Sequence, residues 1–285
     1  MRASQHTLAG TVSVSGVGLH SGAPVSVELR PAPPSTGVRL VRDDVDGAEP
    51  VAARVENALD SRYATTIGAA GHWSVSTVEH LLAALSALGV DNVDVGVRGP
   101  EVPVLDGSAQ PWVDAIERAG VVEQDAPLRQ LVIEHAIEFR MGGRVARVVP
   151  NHQFVVSAQI AFDHARIGSQ SLTVPFENGE FREEIAWART FGFLAEVEAM
   201  KAMGLIKGGS LENAVVYAPD GAILNESGAR GADEPVRHKI LDMLGDLALL
   251  GMPLVGRVEA FLPGHELTHG LVRTIREHPE SWSIR

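Results

Sequence analysis

The pentapeptide HKILD sets His238 and Asp242 four residues apart, so on a helix both side chains share one face with Cβ atoms about 5–6 Å apart. That is a chelating distance. A catalytic zinc takes three nitrogen or oxygen ligands from the protein and keeps a fourth position for water, so one more ligand must come from elsewhere. His80, in TVEH, has the most useful neighbour. Glu79 beside it is placed to accept a proton from a zinc-bound water, whose pKa falls from about 15.7 to about 7. A dedicated acid is also needed where the leaving group is an amide nitrogen, and His265, His269 and His278 are open for that role.

Other readings compete with this one. A single histidine on a helix is ordinarily a surface or core residue, and a His-xxx-Asp spacing arises by chance in a chain with 11 histidines. Two histidines and a carboxylate also describe the facial triad of a non-haem iron oxygenase, although such an enzyme needs neither a glutamate abutting a ligand nor a separate histidine acid. Gly16, Gly18 and Gly22 in SGVGLHSG give G-x-G-x-x-x-G, not the dinucleotide fingerprint. A glycine-rich hairpin with His20 at its tip is the better reading.

The elements that must carry these residues follow from periodicity. Val12 and Val14, then Val25, Val27 and Leu29, alternate as strands of a hairpin. PAPPSTG (31–37) is a loop. From Thr77 the leucines Leu81, Leu82, Leu85 and Leu88 take helical spacing, with Ser76 or Thr77 as cap and Gly89 as stop. Residues 92–97 alternate as a strand, and a turn at Asp106-Gly107 leads into a second helix that ends near Gly120. The polar run 123–130 with Pro127 predicts a domain boundary. Beyond it the pattern predicts strands at 131–138, 144–149 and 154–161, a helix around 180–189, a helix-plus-strand insert over 193–224, and a helix from Pro235 to Leu250 closed by Gly251. HLLAALSALG from His80 and HKILDMLGDLALLG from His238 look like counterparts, one histidine-headed helix per half.

Composition narrows the partners. At 285 residues, 45% hydrophobic and 21% charged, the chain is globular and long enough for two domains. A formal charge of -12 opposes nucleic acid and anionic membranes, while Arg189, Arg237 and Lys239 remain as local cations for a small anionic substrate. The chain has no cysteine, so any metal must use histidine and carboxylate. No apolar run is long enough to span a membrane and no leader pattern is present, which makes the cytoplasm the default.

SGVGLHSG, STVEHLLAAL, NVDV, PEVPVLDGSAQPWV, ARTFGF, KGGSLENA, VRHKILDMLGDLALLG and PGHELTHGL occur in this order over nearly the whole chain. With these strings the sequence resembles the UDP-3-O-acyl-N-acetylglucosamine deacetylases, zinc amidases that start lipid A synthesis in Gram-negative bacteria. The resemblance implies an α+β fold of two similar domains, 1–125 and 126–285, each a β-sheet packed with a helix layer. The active site lies in the cleft between them, and each domain carries a small insert, that of the second spanning about 193–224.

The resemblance also implies roles. His80, His238 and Asp242 hold zinc (Zn2+), Glu79 is the general base, and His265 protonates the leaving amine. Asp246 orients His265 and keeps it positive, and Thr190 shares the oxyanion with zinc. Lys239 contacts the substrate, bordered by Phe191 and Phe193. Val197, Ile206, Leu211 and Val216 are candidates to line a passage for the acyl chain. The substrate implied is an acylated UDP-sugar, handled by a monomer with at most peripheral membrane contact. One departure stands out: Ala64 replaces the cysteine that some family members carry near the metal, which weakens inhibitory binding of a second metal there.

Overall fold

Strand Pro24–Pro31 buries Val25, Val27 and Leu29 and turns the residues between them outward, the period-two pattern of a strand with one face in the core. In the computed structural model, which describes residues 2–60, 62–177 and 179–285, this strand pairs antiparallel with Val12–Val17 and with Val93–Arg98. Val38–Arg42 adds in parallel on the far side of Val93–Arg98, and Val51–Ala52 completes a five-stranded sheet.

A seven-stranded sheet forms in the second half of the chain. Its spine is Leu254–Phe261, antiparallel to Arg144–Val149 and parallel to Phe154–Ala161. Val258 stands opposite both Val148 and Val156, all three fully buried. Ile137–Met141, Ser169–Pro175, Leu131–Ile133 and Trp282–Ile284 make up the rest.

Five α-helices are described: α1 Glu79–Ala87, α2 Gln110–Ala119, α3 Leu194–Ala202, α4 Glu234–Leu247 and α5 His265–Glu277. α2 packs on strand Val12–Val17 and on α1, and α4 and α5 pack on the larger sheet. α1 and α4 then meet, each burying its leucines. They approach closely at Gly245, where an added Cβ would overlap the Glu79 carbonyl oxygen. The architecture is α+β, as the resemblance implies, and one apolar core runs through both halves. Among the described residues no helix is long and apolar enough to cross a membrane.

Three local expectations are revised. α1 is capped by neither Ser76 nor Thr77: Val78 occupies the cap position without a side-chain bond. The Thr77 hydroxyl is taken by the Glu101 carboxylate at 2.9 Å and the Ser76 hydroxyl by Thr66 at 2.6 Å. Ahead of the second half, Val121–Pro127 is a strand paired antiparallel with Ser4–Leu8, with most of its side chains facing solvent. Leu131–Ile133 stops short of 138, and a separate strand starts at Ile137. In place of a helix over 180–189 there is one π-helical turn, Phe181–Ile185. The carbonyls that would continue it are turned to outside partners: Ala186 accepts from the Ala109 N–H and Ala188 from His238.

The insert contains α3 and strand Val215–Tyr217, which runs parallel to Phe191–Phe193. Its GLIKGGS turn docks on the glycine-rich hairpin tip, with the N–H groups of Lys207 and Gly208 donating to the carbonyls of His20 and Leu19. Glu101 holds the tip from behind, accepting from the N–H groups of His20 and Ser21 at 3.0 and 2.7 Å.

Candidate metal centre

The first turn of α1 carries Glu79 and His80, and successive turns of α4 carry His238, Asp242 and Asp246. The crossing of the two helices brings His80, His238 and Asp242 together, buried, with one donor atom from each within 4.8 Å of the others. His238 Nε2 lies 3.3 Å and His80 Nε2 3.7 Å from Asp242 Oδ1. The two imidazole rings sit edge to face at 5.0 Å.

The donor set fits a small divalent cation. His238 Nδ1 lies 3.1 Å from the Ala188 carbonyl, which assigns its proton to that nitrogen and leaves the Nε2 lone pair facing the other ligands. Burial pushes the His238 pKa down to about 3, so the ring is neutral, as a ligand must be. Burial alone would raise Asp242, but the Lys239 ammonium beside it holds it well below the usual carboxylate range. Lys239 Nζ occupies Oδ2 at 2.7 Å, and Oδ1 is the oxygen that faces the imidazoles. Two nitrogens and one carboxylate oxygen suit zinc.

Beside this set lies an acid–base pair. Glu79 Oε2 accepts from the Thr65 N–H at 3.0 Å, and Oε1 faces His265 Nε2 at 3.9 Å. Burial raises the Glu79 pKa above the ordinary carboxylate range. His265, the first residue of α5, bonds through Nδ1 to Asp246 Oδ2 at 2.9 Å. Burial would lower the pKa of His265, yet Asp246 carries it up to about 10. Asp246 itself sits at about 2, its burial outweighed by His265 and His269.

The structure sorts the three histidines left open as the acid. His269 is completely buried behind Asp246, with Nε2 3.2 Å from Oδ1. His278 is half exposed and pairs with Glu280. Of the three, His265 is the one that faces Glu79.

Thr190 is held by its main chain: its N–H donates to the Gly107 carbonyl and its own carbonyl accepts from the Val215 N–H, both at 2.8 Å. Gly107 makes this possible, with φ of +83° and a Cβ position already filled by the Asn213 carbonyl oxygen. Phe191 packs its ring 6.3 Å from His238 and lies under Lys239 Nζ at 5.6 Å. Phe193 stands one step further out, against Phe162, His164 and Tyr217. Of the predicted local cations, Arg189 and Arg237 are committed internally. Arg189 is buried against Glu234 at 2.9 Å, and Arg237 pairs with Asp233 and Glu184. Lys239 keeps about a fifth of its side chain exposed.

Thr65 joins the site without having been marked by sequence, as do Phe162, His164 and Tyr217 around Phe191, whereas His269, one of the histidines left open as the acid, stands behind Asp246. No spacing marks Thr65, which is close only through the fold.

A buried histidine–carboxylate group that could hold a metal ion, with a carboxylate and an imidazole facing each other beside it, is an arrangement suited to hydrolysis. The chain belongs to the UDP-3-O-acyl N-acetylglycosamine deacetylase family, which it matches over residues 5–277. It is 47% identical over 282 residues to the UDP-3-O-acyl-N-acetylglucosamine deacetylase of Phenylobacterium zucineum, a match covering 99% of this chain and 96% of that protein. The enzyme of the same name from Myxococcus xanthus is 47% identical over 280 residues, covering 98% of this chain and 88% of the relative. That of Acidithiobacillus ferrooxidans is 45% identical over 282 residues, covering 98% and 92%.

Proposed function

We propose that this protein removes the N-acetyl group of UDP-3-O-[(3R)-3-hydroxyacyl]-N-acetylglucosamine, giving the 2-amino sugar and acetate, the committed step of lipid A biosynthesis. Zinc is held by His80, His238 and Asp242. The observation that carries the reading is the pairing of Glu79 with His265 beside that ligand set, 3.9 Å apart, a base and an acid placed for amide hydrolysis.

Zinc supplies, when bound, the acidity of the attacking water and polarisation of the amide carbonyl. Glu79 Oε1 takes the proton from that water as its oxygen bonds to the amide carbon. The Thr190 hydroxyl donates to the oxyanion that develops on the carbonyl oxygen. His265, kept cationic by Asp246, gives its proton to the amide nitrogen as the C–N bond breaks, so the sugar leaves as an amine and acetate remains. Lys239 binds substrate, with Phe191 and Phe193 bordering it.

Residues 1–125 and 126–285 serve as the two domains. The insert of about 193–224 receives the acyl chain, with Val197, Ile206, Leu211 and Val216 as candidate lining. The enzyme acts on its small-molecule substrate as a cytoplasmic monomer, with at most peripheral membrane contact and no nucleic-acid partner. The test is to incubate the zinc-loaded protein with the acylated UDP-sugar and follow acetate release. Failure to deacetylate overturns the reading, as does turnover that requires oxygen and iron, the signature of the oxygenase alternative.

A further inference from the structure

Thr65 immediately precedes strand Thr66–Ala69 and is fully buried. Its main chain serves α1: the N–H donates to Glu79 Oε2 at 3.0 Å, and the carbonyl accepts from the Val78 N–H at the helix start. Its side chain serves α4: the hydroxyl donates to Asp246 Oδ1 at 2.6 Å. A third element closes the cluster, since His269 Nε2 on α5 lies 3.0 Å from the same hydroxyl oxygen and 3.2 Å from Asp246 Oδ1. His269 Nδ1 is buried with no partner, so the ring's proton belongs on Nε2, facing both oxygens. Thr65 and His269 thus gather on Oδ1, while His265 Nδ1 lies nearest Oδ2 at 2.9 Å, with Oδ1 at 3.2 Å.

One residue therefore bonds the carboxylate of the base and, separately, the carboxylate that orients the acid. We propose that Thr65 is a positioning residue that fixes Glu79 and His265 relative to each other, through its main chain on one side and its hydroxyl on the other. This inference rests on the deacetylase mechanism above. A threonine that merely filled space would give the same packing with valine in its place. Valine matches its shape and keeps the N–H bond to Glu79, but it leaves Asp246 Oδ1 short of its closest donor. The carboxylate is then free to turn, and the His265 ring turns with it. Displacement of a reacting group by about 1 Å costs on the order of 10²-fold in rate.

Steady-state kinetics of the zinc-loaded full chain test this on the acylated UDP-sugar, with Thr65→Val and Thr65→Ser. In Thr65→Val the kcat falls by about 10²-fold while KM, zinc content and the circular dichroism spectrum stay those of wild type. Thr65→Ser, which keeps the donor, restores most of the lost kcat. Because the hydroxyl acts through Asp246, Thr65→Val adds little to the loss already caused by Asp246→Asn. Wild-type kcat in Thr65→Val, a loss confined to KM, no rescue by serine, or full additivity with Asp246→Asn each overturns the proposal. Should Thr65→Val fail to fold, Thr65→Ala against Thr65→Ser supplies the same comparison. An active wild type with an indifferent Thr65→Val removes this inference alone, whereas an inactive wild type removes the deacetylase reading with it.

Discussion

His265 Nε2 faces Glu79 Oε1 across 3.9 Å, with the imidazole tied by its other nitrogen to Asp246 and the carboxylate tied by its other oxygen to Thr65. Each group is thus held from behind. In the proposed mechanism Glu79 acts ionised and His265 protonated.

The pH profile of kcat/KM should therefore be a bell. Its acidic limb is set by Glu79, whose pKa burial lifts above the ordinary carboxylate range, and its alkaline limb by His265, which releases its proton at about 10. Asp246→Asn removes the charge that keeps His265 protonated, so the alkaline limb moves to lower pH by roughly 1–3 units. A limb that stays in place would remove His265 from the acid role.

Glu79→Gln keeps the size of the side chain and takes away the proton acceptor. The expected loss is about 10²–10⁴-fold in kcat. Glu79 is not among the three metal donors, so metal analysis of the variant should show wild-type zinc. A variant that loses its zinc would mean that Glu79 acts as a ligand.

Chelation should abolish turnover, and added zinc should restore it. Because the ligand set exists only in the folded chain, the metal also raises the melting temperature; a cation at 100 times its Kd stabilises by about 2.7 kcal/mol. His238→Ala removes one of three donors and should lose both effects. Equal melting curves with and without zinc would count against the assignment.

Gly245→Ala tests the helix crossing. The new methyl group would overlap the Glu79 carbonyl, so α1 and α4 must separate. Overpacking of this kind costs about 1–3 kcal/mol, offset by at most about 1 kcal/mol of helix propensity. The urea midpoint should fall, and kcat with it, since the shift moves Glu79 and His80 away from α4. Unchanged kcat in the folded variant would show that the site tolerates a wider crossing.

Much of this was legible in the linear chain. His80 opens one leucine-rich helix and His238 lies one turn into another, and the His238–Asp242 pair follows from one helical repeat. The alternating valines of the first sheet read directly as strands. What escaped depends on tertiary partners. Thr65 meets Asp246 across 181 residues and His269 across 204, and no periodicity encodes such a meeting. The cap of α1 was misplaced because Glu101, 24 residues beyond Thr77, competes for its hydroxyl. Arg189 and Arg237 read as free cations because nothing in the chain announces that Glu234 and Asp233 take them.

The docking of α1 against α4 at Gly245 constrains how the enzyme can breathe. A clamshell motion that parted these helices would withdraw His80 from His238 and Asp242, and Glu79 from His265, in one stroke, dismantling the catalyst in order to open it. The hairpin tip and the insert turn are joined by bonds of their own, from the N–H groups of Lys207 and Gly208.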